Sequence, residues 1–267
     1  MTMKILKRWL GVGGVQMARR RAMLLAPALG FVLMSTTMPF AFASAADPAS
    51  VQAARGGSGA GRKVVMVVQM NGPNLGVDQK AAAHLEARGY SVRMVDQAQT
   101  PNSVGGVDLV IISSTVSSKD VPSGWRALPV PLLTWENDLL DDFAMTGKRH
   151  DVDFGEAPKE RYLWLVNAPH PIAAGLPAGV VNVYGKQAPM SWGKPGLGAT
   201  IIATLYGQPE KAAIFAYEKG ATMDYEALAP ARRVMFFLSN ETFTNLSSPG
   251  IALFDAAVDW AGKTAFN

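Results

Sequence analysis

The residues best placed to do chemistry stand directly after apolar runs. Glu136 follows Leu132-Leu133-Thr134-Trp135, Asn240-Glu241 follows Val234 to Leu238, and His170 follows the run from Tyr162 to Val166. A carboxyl group at such a strand end, beside a tryptophan, is partly desolvated, and its pKa rises toward the range of a useful general acid or base. Glu136 and Glu241 could together supply the two carboxylates of glycoside hydrolysis if they lie ~5–9.5 Å apart. The competing role for Glu136 is structural, because acidic residues cap and support helix starts. Pro171 biases His170 to an extended backbone and can itself open a short helix. The imidazole is then held on a turn, ready for proton transfer or a metal bond, or simply fixing the turn through backbone hydrogen bonds.

Polar residues cluster after the other apolar runs too: Asn71 after the first, Ser113-Ser114-Thr115 after the third, Asn137 beside Glu136, and Asn240 after the last. A small polar ligand needs such a gathering at one edge of a sheet. Tyr184 follows a further apolar run, and Trp192 sits in the constrained stretch Ser191-Trp192-Gly193-Lys194-Pro195-Gly196. An exposed indole there would stack on a sugar ring, whereas a buried one would pin a lid on the core. The catalytic expectation is therefore Glu136, His170 and Glu241. The ligand-binding expectation is Asn71, Ser114, Asn137, Tyr184, Trp192 and Asn240.

Other chemistries are excluded or weak. The 267 residues include no cysteine, which removes thiol nucleophiles, cysteine-ligated zinc and iron–sulfur clusters. Ser113-Ser114 lacks a Gly-x-Ser-x-Gly elbow. His150-Asp151-Val152-Asp153 with Glu156 offers metal ligands but lacks the glycine and spacing of a calcium loop, so it reads as a solvated charged loop. No cofactor is predicted, and a divalent metal is only weakly supported, by that stretch and by the His170 imidazole. His84, in an alanine-rich helix, reads as a surface residue.

The net charge of +4 invites a nucleic-acid reading, but its location argues otherwise. Six of the 25 Lys and Arg residues precede Ser44, where no acid occurs, so the remainder carries 19 basic against 21 acidic residues. A basic face for phosphate thereby loses its main support, and the nucleic-acid reading falls. Arg19-Arg20-Arg21, the apolar run Ala22 to Phe42 and Ala41-Phe42-Ala43 instead resemble a secretory signal over residues 1–43, with faint twin-arginine character. The expected location is periplasmic or secreted, with a membrane as partner only if the signal stays uncleaved. An Ala/Gly/Ser-rich linker follows over 44–62.

From Lys63 the pattern is one of short apolar runs and turns. Runs begin at Lys63, Val92, Leu109 and Pro131, with a helix capped by Asp78 and ended by Gly89 and a short helix capped by Asn137-Asp138. This alternation predicts an α/β fold with a parallel sheet covered on both faces. Further extended runs at 162–166, 180–184, 200–205, 212–217 and 233–238 predict a strand-rich insertion in the second half. A closing helix over Pro249 to Gly262 has Ile251, Phe254, Val258 and Ala261 on one face.

Asn167-Ala168-Pro169-His170-Pro171-Ile172-Ala173-Ala174-Gly175-Leu176 resembles the His-Pro-Ile-x-x-Gly-Leu signature of the ThuA-like (trehalose utilization) proteins. Arg232 to Phe237 and the helix closing in Asp259-Trp260-Ala261 are similar to that family's ending, and the likeness covers roughly Lys63 to Gly262. The resemblance implies a class I glutamine amidotransferase-like chain of flavodoxin-like, three-layer architecture, with helices on both faces of a parallel sheet. It also implies sugar metabolism. Glutaminase chemistry is excluded because the nucleophilic cysteine is missing. Val183-Tyr184-Gly185-Lys186 keeps only the tyrosine of the family's acidic-Glu-Leu-Tyr element, and Ser239-Asn240-Glu241-Thr242 replaces its terminal Gly-His. The expectation is a domain over 63–267 that binds a small polar ligand, a carbohydrate or keto-sugar, at its strand ends. If it is an enzyme, it is a carbohydrate-active hydrolase or isomerase. A non-catalytic envelope accessory module and a purely structural envelope protein are the alternatives.

Overall fold

The structure, a computed structural model, describes residues 59–263. The expected signal and most of the expected linker lie outside the described residues. The linker's last residues are packed: Gly59 donates its N–H to Arg88 O at 3.2 Å, and a side chain at Gly59 would collide with the Tyr90 ring.

The elements are β1 (Lys63–Val68), α1 (Leu75–Ala87), β2 (Ser91–Asp96), β3 (Leu109–Ile112), β4 (Leu132–Thr134), β5 (Phe154–Glu160), β6 (Tyr162–Leu165), β7 (Gly179–Asn182), β8 (Ala188–Gly193), β9 (Thr200–Leu205), β10 (Gln208–Tyr217), β11 (Arg233–Met235) and α2 (Ser248–Gly262). The strands lie in the order β2-β1-β3-β4-β11-β10-β9-β6-β7, and β8 pairs with both β10 and β5. The first five are parallel, in the 2-1-3-4-5 order of a flavodoxin-like sheet with β11 in fifth place. From β10 onward the pairs are antiparallel, forming a wing built by the second half of the chain. This is an α/β fold on a mixed sheet with few helices.

The uninterrupted apolar runs follow from burial on both sides. Val64, Met66 and Val68 of β1 enter one core with Leu109, Ile111, Leu133 and Val234, while Val65, Val67, Val110, Ile112 and Leu132 enter another. Only the first core is roofed by α-helices. α1 and α2 lie side by side there, joined by His84 Nε2 to Asp255 Oδ1 at 2.7 Å, by Arg88 to Asp259 at 2.9 Å, and by the Tyr90 hydroxyl bonding Asp259. His84 is thus part of a helix seam rather than a plain surface residue.

The opposite face departs from expectation. It is covered by irregular chain with 3-10 turns at Pro101–Ser103, Ser118–Asp120, Trp125–Ala127 and Asn137–Leu139, which bury Val104, Trp125, Leu139, Leu140 and Phe143. Pro101, Gly105, Gly106, Pro122, Gly124, Pro129 and Pro131 deny that stretch a continuous helix. A buried guanidinium secures it instead: Arg233 donates to Leu128 O at 2.6 Å, Val130 O at 2.9 Å and Arg126 O at 3.2 Å. Among the described residues no helix is long and apolar enough to cross a membrane.

Candidate functional site

The carboxyl ends of the parallel strands carry two polar assemblies. In the first, Asp78 on α1 is buried and accepts bonds from Ser113 Oγ and Thr115 Oγ1, each at 2.7 Å. Ser113 Oγ in turn accepts from the Trp135 indole N–H at 3.1 Å and from Thr115 N–H at 3.2 Å. Burial raises the Asp78 pKa against the lowering effect of its two hydroxyl donors. Every group in this cluster is engaged, so it fastens α1 to the ends of β3 and β4. Asp78 sits inside α1 rather than capping it, and Asn74 is the N-cap residue.

The second assembly is built on Glu136. β4 ends at Thr134, whose Oγ1 accepts the Glu136 N–H at 3.0 Å and donates to Ile112 O at 3.0 Å, fixing the turn where the carboxyl emerges. Glu136 is 6% exposed. Its Oε1 accepts the Asp138 N–H at 2.9 Å, capping the 3-10 turn that follows. Desolvation pushes its pKa up to about 8; the Asp138 N–H opposes this, and the charges of Asp138 and Glu156 add to it. At neutral pH Glu136 is mostly a neutral acid, with one oxygen committed to the turn.

A second carboxyl comes from the wing. Glu156 on β5 is exposed, and its Oε2 accepts Ser239 Oγ–H at 2.6 Å. Ser239 is held at the end of the β11 run by Thr242, whose Oγ1 accepts the Ser239 N–H at 2.8 Å. Ser191, opposite Glu156 in the β5–β8 register, is fully buried and presents its hydroxyl to Leu238 O at 2.8 Å and Trp135 O at 3.2 Å. One hydroxyl thus bridges the residue before Glu136 and the residue before Ser239. Gly155 lets β5 approach: its φ is +158°, and a side chain there would press on the Trp192 indole at 3.2 Å. His150 joins the rim through Asp138, at 3.4 Å, with both side chains well exposed.

The predicted residues are only partly brought together. Glu136 stands at the strand ends, with Asn137 half-buried beside it and Ser114 buried after β3, its hydroxyl without a protein partner. Asn71, Asn240 and Glu241 are exposed on the turns after β1 and β11. Glu241 precedes the Thr242–Asn245 turn, and the carboxylates whose charges act on Glu136 are Asp138 and Glu156 instead. His170 lies elsewhere. β6 runs opposite to the parallel strands, so its carboxyl end meets their amino edge. There His170 packs on Trp260 of α2, with ring centres 5.2 Å apart, and its Nδ1 accepts the Ile172 N–H at 3.2 Å. Burial lowers its pKa. The turn-fixing role is the one the geometry supports.

Tyr184 and Trp192 are core residues. The Tyr184 hydroxyl is spent on Pro189 O at 3.1 Å, and burial pushes its pKa up. Trp192 lies within β8 rather than on a loop, is 2% exposed and has the Lys211 ammonium 4.7 Å from its ring centre. Neither ring can stack on a sugar in this conformation. Among the described residues no three His, Asp or Glu side chains converge as a metal ion would require.

No family model matches the sequence, and no curated protein matches it. Among solved structures, the chain is similar to a candidate GMP synthase subunit from Thermoplasma acidophilum. The two share 12% identity over 74% of this chain and 94% of that one, with a TM-score of 0.45. So distant a likeness carries no activity across.

Proposed function

We propose that the strand-end crevice binds a small polar ligand, a carbohydrate or keto-sugar, and performs acid–base chemistry on it in an exported protein of the ThuA-like type. One observation carries this reading: a glutamic acid 6% exposed, with its pKa near 8, stands at the mouth of a parallel sheet. Glu136 Oε1 is held by the Asp138 N–H, so the proton belongs on Oε2, the oxygen free to donate. Glu156 accepts a hydrogen bond from Ser239 through Oε2, and its Oε1 is the candidate proton acceptor. In this reading Glu136 is the acid and Glu156 the base, the two roles that hydrolysis or isomerisation of a sugar requires.

A second reading is favoured by the same Asp138 bond. Glu136 as a capping residue fits a non-catalytic accessory module that keeps the architecture without the chemistry. A thermal-shift screen of the folded chain against sugars, keto-sugars and divalent metals, repeated with Glu136→Gln and Glu156→Gln, separates the two. A sugar-dependent rise in Tm that either substitution alters supports the acid–base site. A rise that both variants reproduce supports the accessory module, and no rise with any compound removes the ligand reading.

A further inference from the structure

We propose that the outer face of the wing, centred on Trp164 and Tyr206, is a second binding site that takes a neutral sugar ring. β6 alternates: Leu163 and Leu165 point into the core, while Tyr162, Trp164 and Val166 point outward. Val180, opposite Trp164 in the β6–β7 register, joins them on the outer face. Trp164 is 46% and Tyr206 50% exposed, an unusual investment of large apolar surface on one small face. Their rings are inclined by only 27°, with centres 6.4 Å apart, and Tyr162 meets Tyr206 edge-on at 6.3 Å.

The shelf they form holds about 430 Å³, and its walls include Val166, Thr204 and Pro209. That volume falls in the range of small-ligand sites. No charged side chain lines it; the nearby Arg161 guanidinium lies over the Tyr162 ring, 5.8 Å from its centre, and donates to Tyr184 O, so the shelf itself suits a neutral ligand better than an anion. Tyr162, Trp164, Val166, Val180 and Tyr206 are each only 38–51% exposed, so together they present on the order of a few hundred Å², short of the ~800 Å² each partner contributes to a stable protein interface. A second copy of the chain is therefore a poorer fit than a small ligand. The C–H face of a pyranose stacks on flat, half-exposed aromatic rings, and its hydroxyls need neutral donors and acceptors at the rim. Tyr206 and Thr204, whose side chains carry hydroxyls, are the polar residues among those that line it.

Trp164 provides its own readout. The other described tryptophans, Trp125, Trp135, Trp192 and Trp260, are at most 7% exposed. In a Trp9→Phe background, acrylamide quenching of the native fluorescence therefore reports on Trp164. Titration with maltotriose and cellotriose is expected to give a saturable change in emission and to protect Trp164 from quenching. Tyr206→Ala should weaken that binding about tenfold, and Trp164→Ala should abolish the signal, with Tm confirming that each variant is folded. No saturable change with either sugar overturns the proposal. So does protection that appears without sugar as protein concentration rises and tracks dimer formation in sedimentation, since a second copy then occupies the face. Because the signal arises at Trp164, the outcome is independent of whether Glu136 and Glu156 work.

Discussion

Ser239 Oγ donates a 2.6 Å hydrogen bond to Glu156 Oε2, joining the end of the last parallel strand to a wing strand 83 residues earlier. Through it the wing contributes directly to the mouth of the sheet. Glu156 is then, with Asp138, a carboxylate whose charge raises the Glu136 pKa, where the sequence had paired Glu136 with Glu241. The wing is thus part of the candidate site as well as an extension of the sheet.

Glu136 predicts a particular pH dependence of stability. Its carboxyl titrates at about 8 when folded against an ordinary value of 4.5, so the unfolded chain releases the proton first. The stability this group contributes is complete below pH 4.5 and is lost as pH rises to 8, on the order of 3–5 kcal/mol in total. Urea denaturation across that interval should show a decline that Glu136→Gln flattens. Asp78 shifts in the same direction but is present in both proteins, so the difference isolates Glu136. Parallel profiles would contradict the assignment.

Arg233 should be costly to replace. Its buried guanidinium has a pKa lowered by burial to about 10 and is surrounded by backbone carbonyls of the 126–131 stretch. Arg233→Met removes the charge but leaves those carbonyls unpaired, at an expected cost of roughly 3–5 kcal/mol. A midpoint in urea close to that of the unaltered chain would show that the stretch has other support.

Ser191→Ala tests the link between the two carboxyl-bearing ends. Two buried carbonyls lose a donor, at a cost of about 1–3 kcal/mol. Any sugar-dependent Tm shift should fall with it, and Ser191→Thr should restore part of both. A loss of stability with the ligand shift intact would confine Ser191 to a packing role.

His170→Ala should behave as a turn mutation. The cap and the Trp260 contact are lost, for about 0.5–2 kcal/mol, while ligand-dependent shifts persist. Because burial lowers its pKa, the stabilisation His170 contributes is present above its ordinary value of 6.5 and fades as pH falls through and below it. A ligand response abolished by His170→Ala, with Tm unchanged, would return the residue to the site.

Much of this was readable from residue types. Uninterrupted apolar runs announced β1 and β3 because strands buried on both faces need them, and Glu136 was legible as an acid following such a run. Strand direction was not. Nothing in Tyr162 to Val166 reveals that β6 runs against the parallel strands, and that reversal carries His170 to the far edge. β5 and β8 were hidden for another reason: Phe154–Glu160 contains Pro158 and three charged residues, and it is extended through pairing with β8 rather than by its own preference. Glu156 therefore read as part of a solvated loop, because its partner Ser239 is distant in sequence. The second face was missed because helices on both sides were inferred from the parallel-sheet pattern alone, while Pro and Gly between Gln97 and Pro131 keep that stretch from forming one.

The most direct test is a carboxyl titration of Glu136 itself, using protein labelled with ¹³C at the glutamate side-chain carboxyl and Glu136→Gln to assign the resonance. A carboxyl still protonated at neutral pH and titrating near 8 is the predicted result. A Glu136 signal titrating near its ordinary value of 4.5 would leave a simple capping carboxylate, and the acid–base site would fall with it.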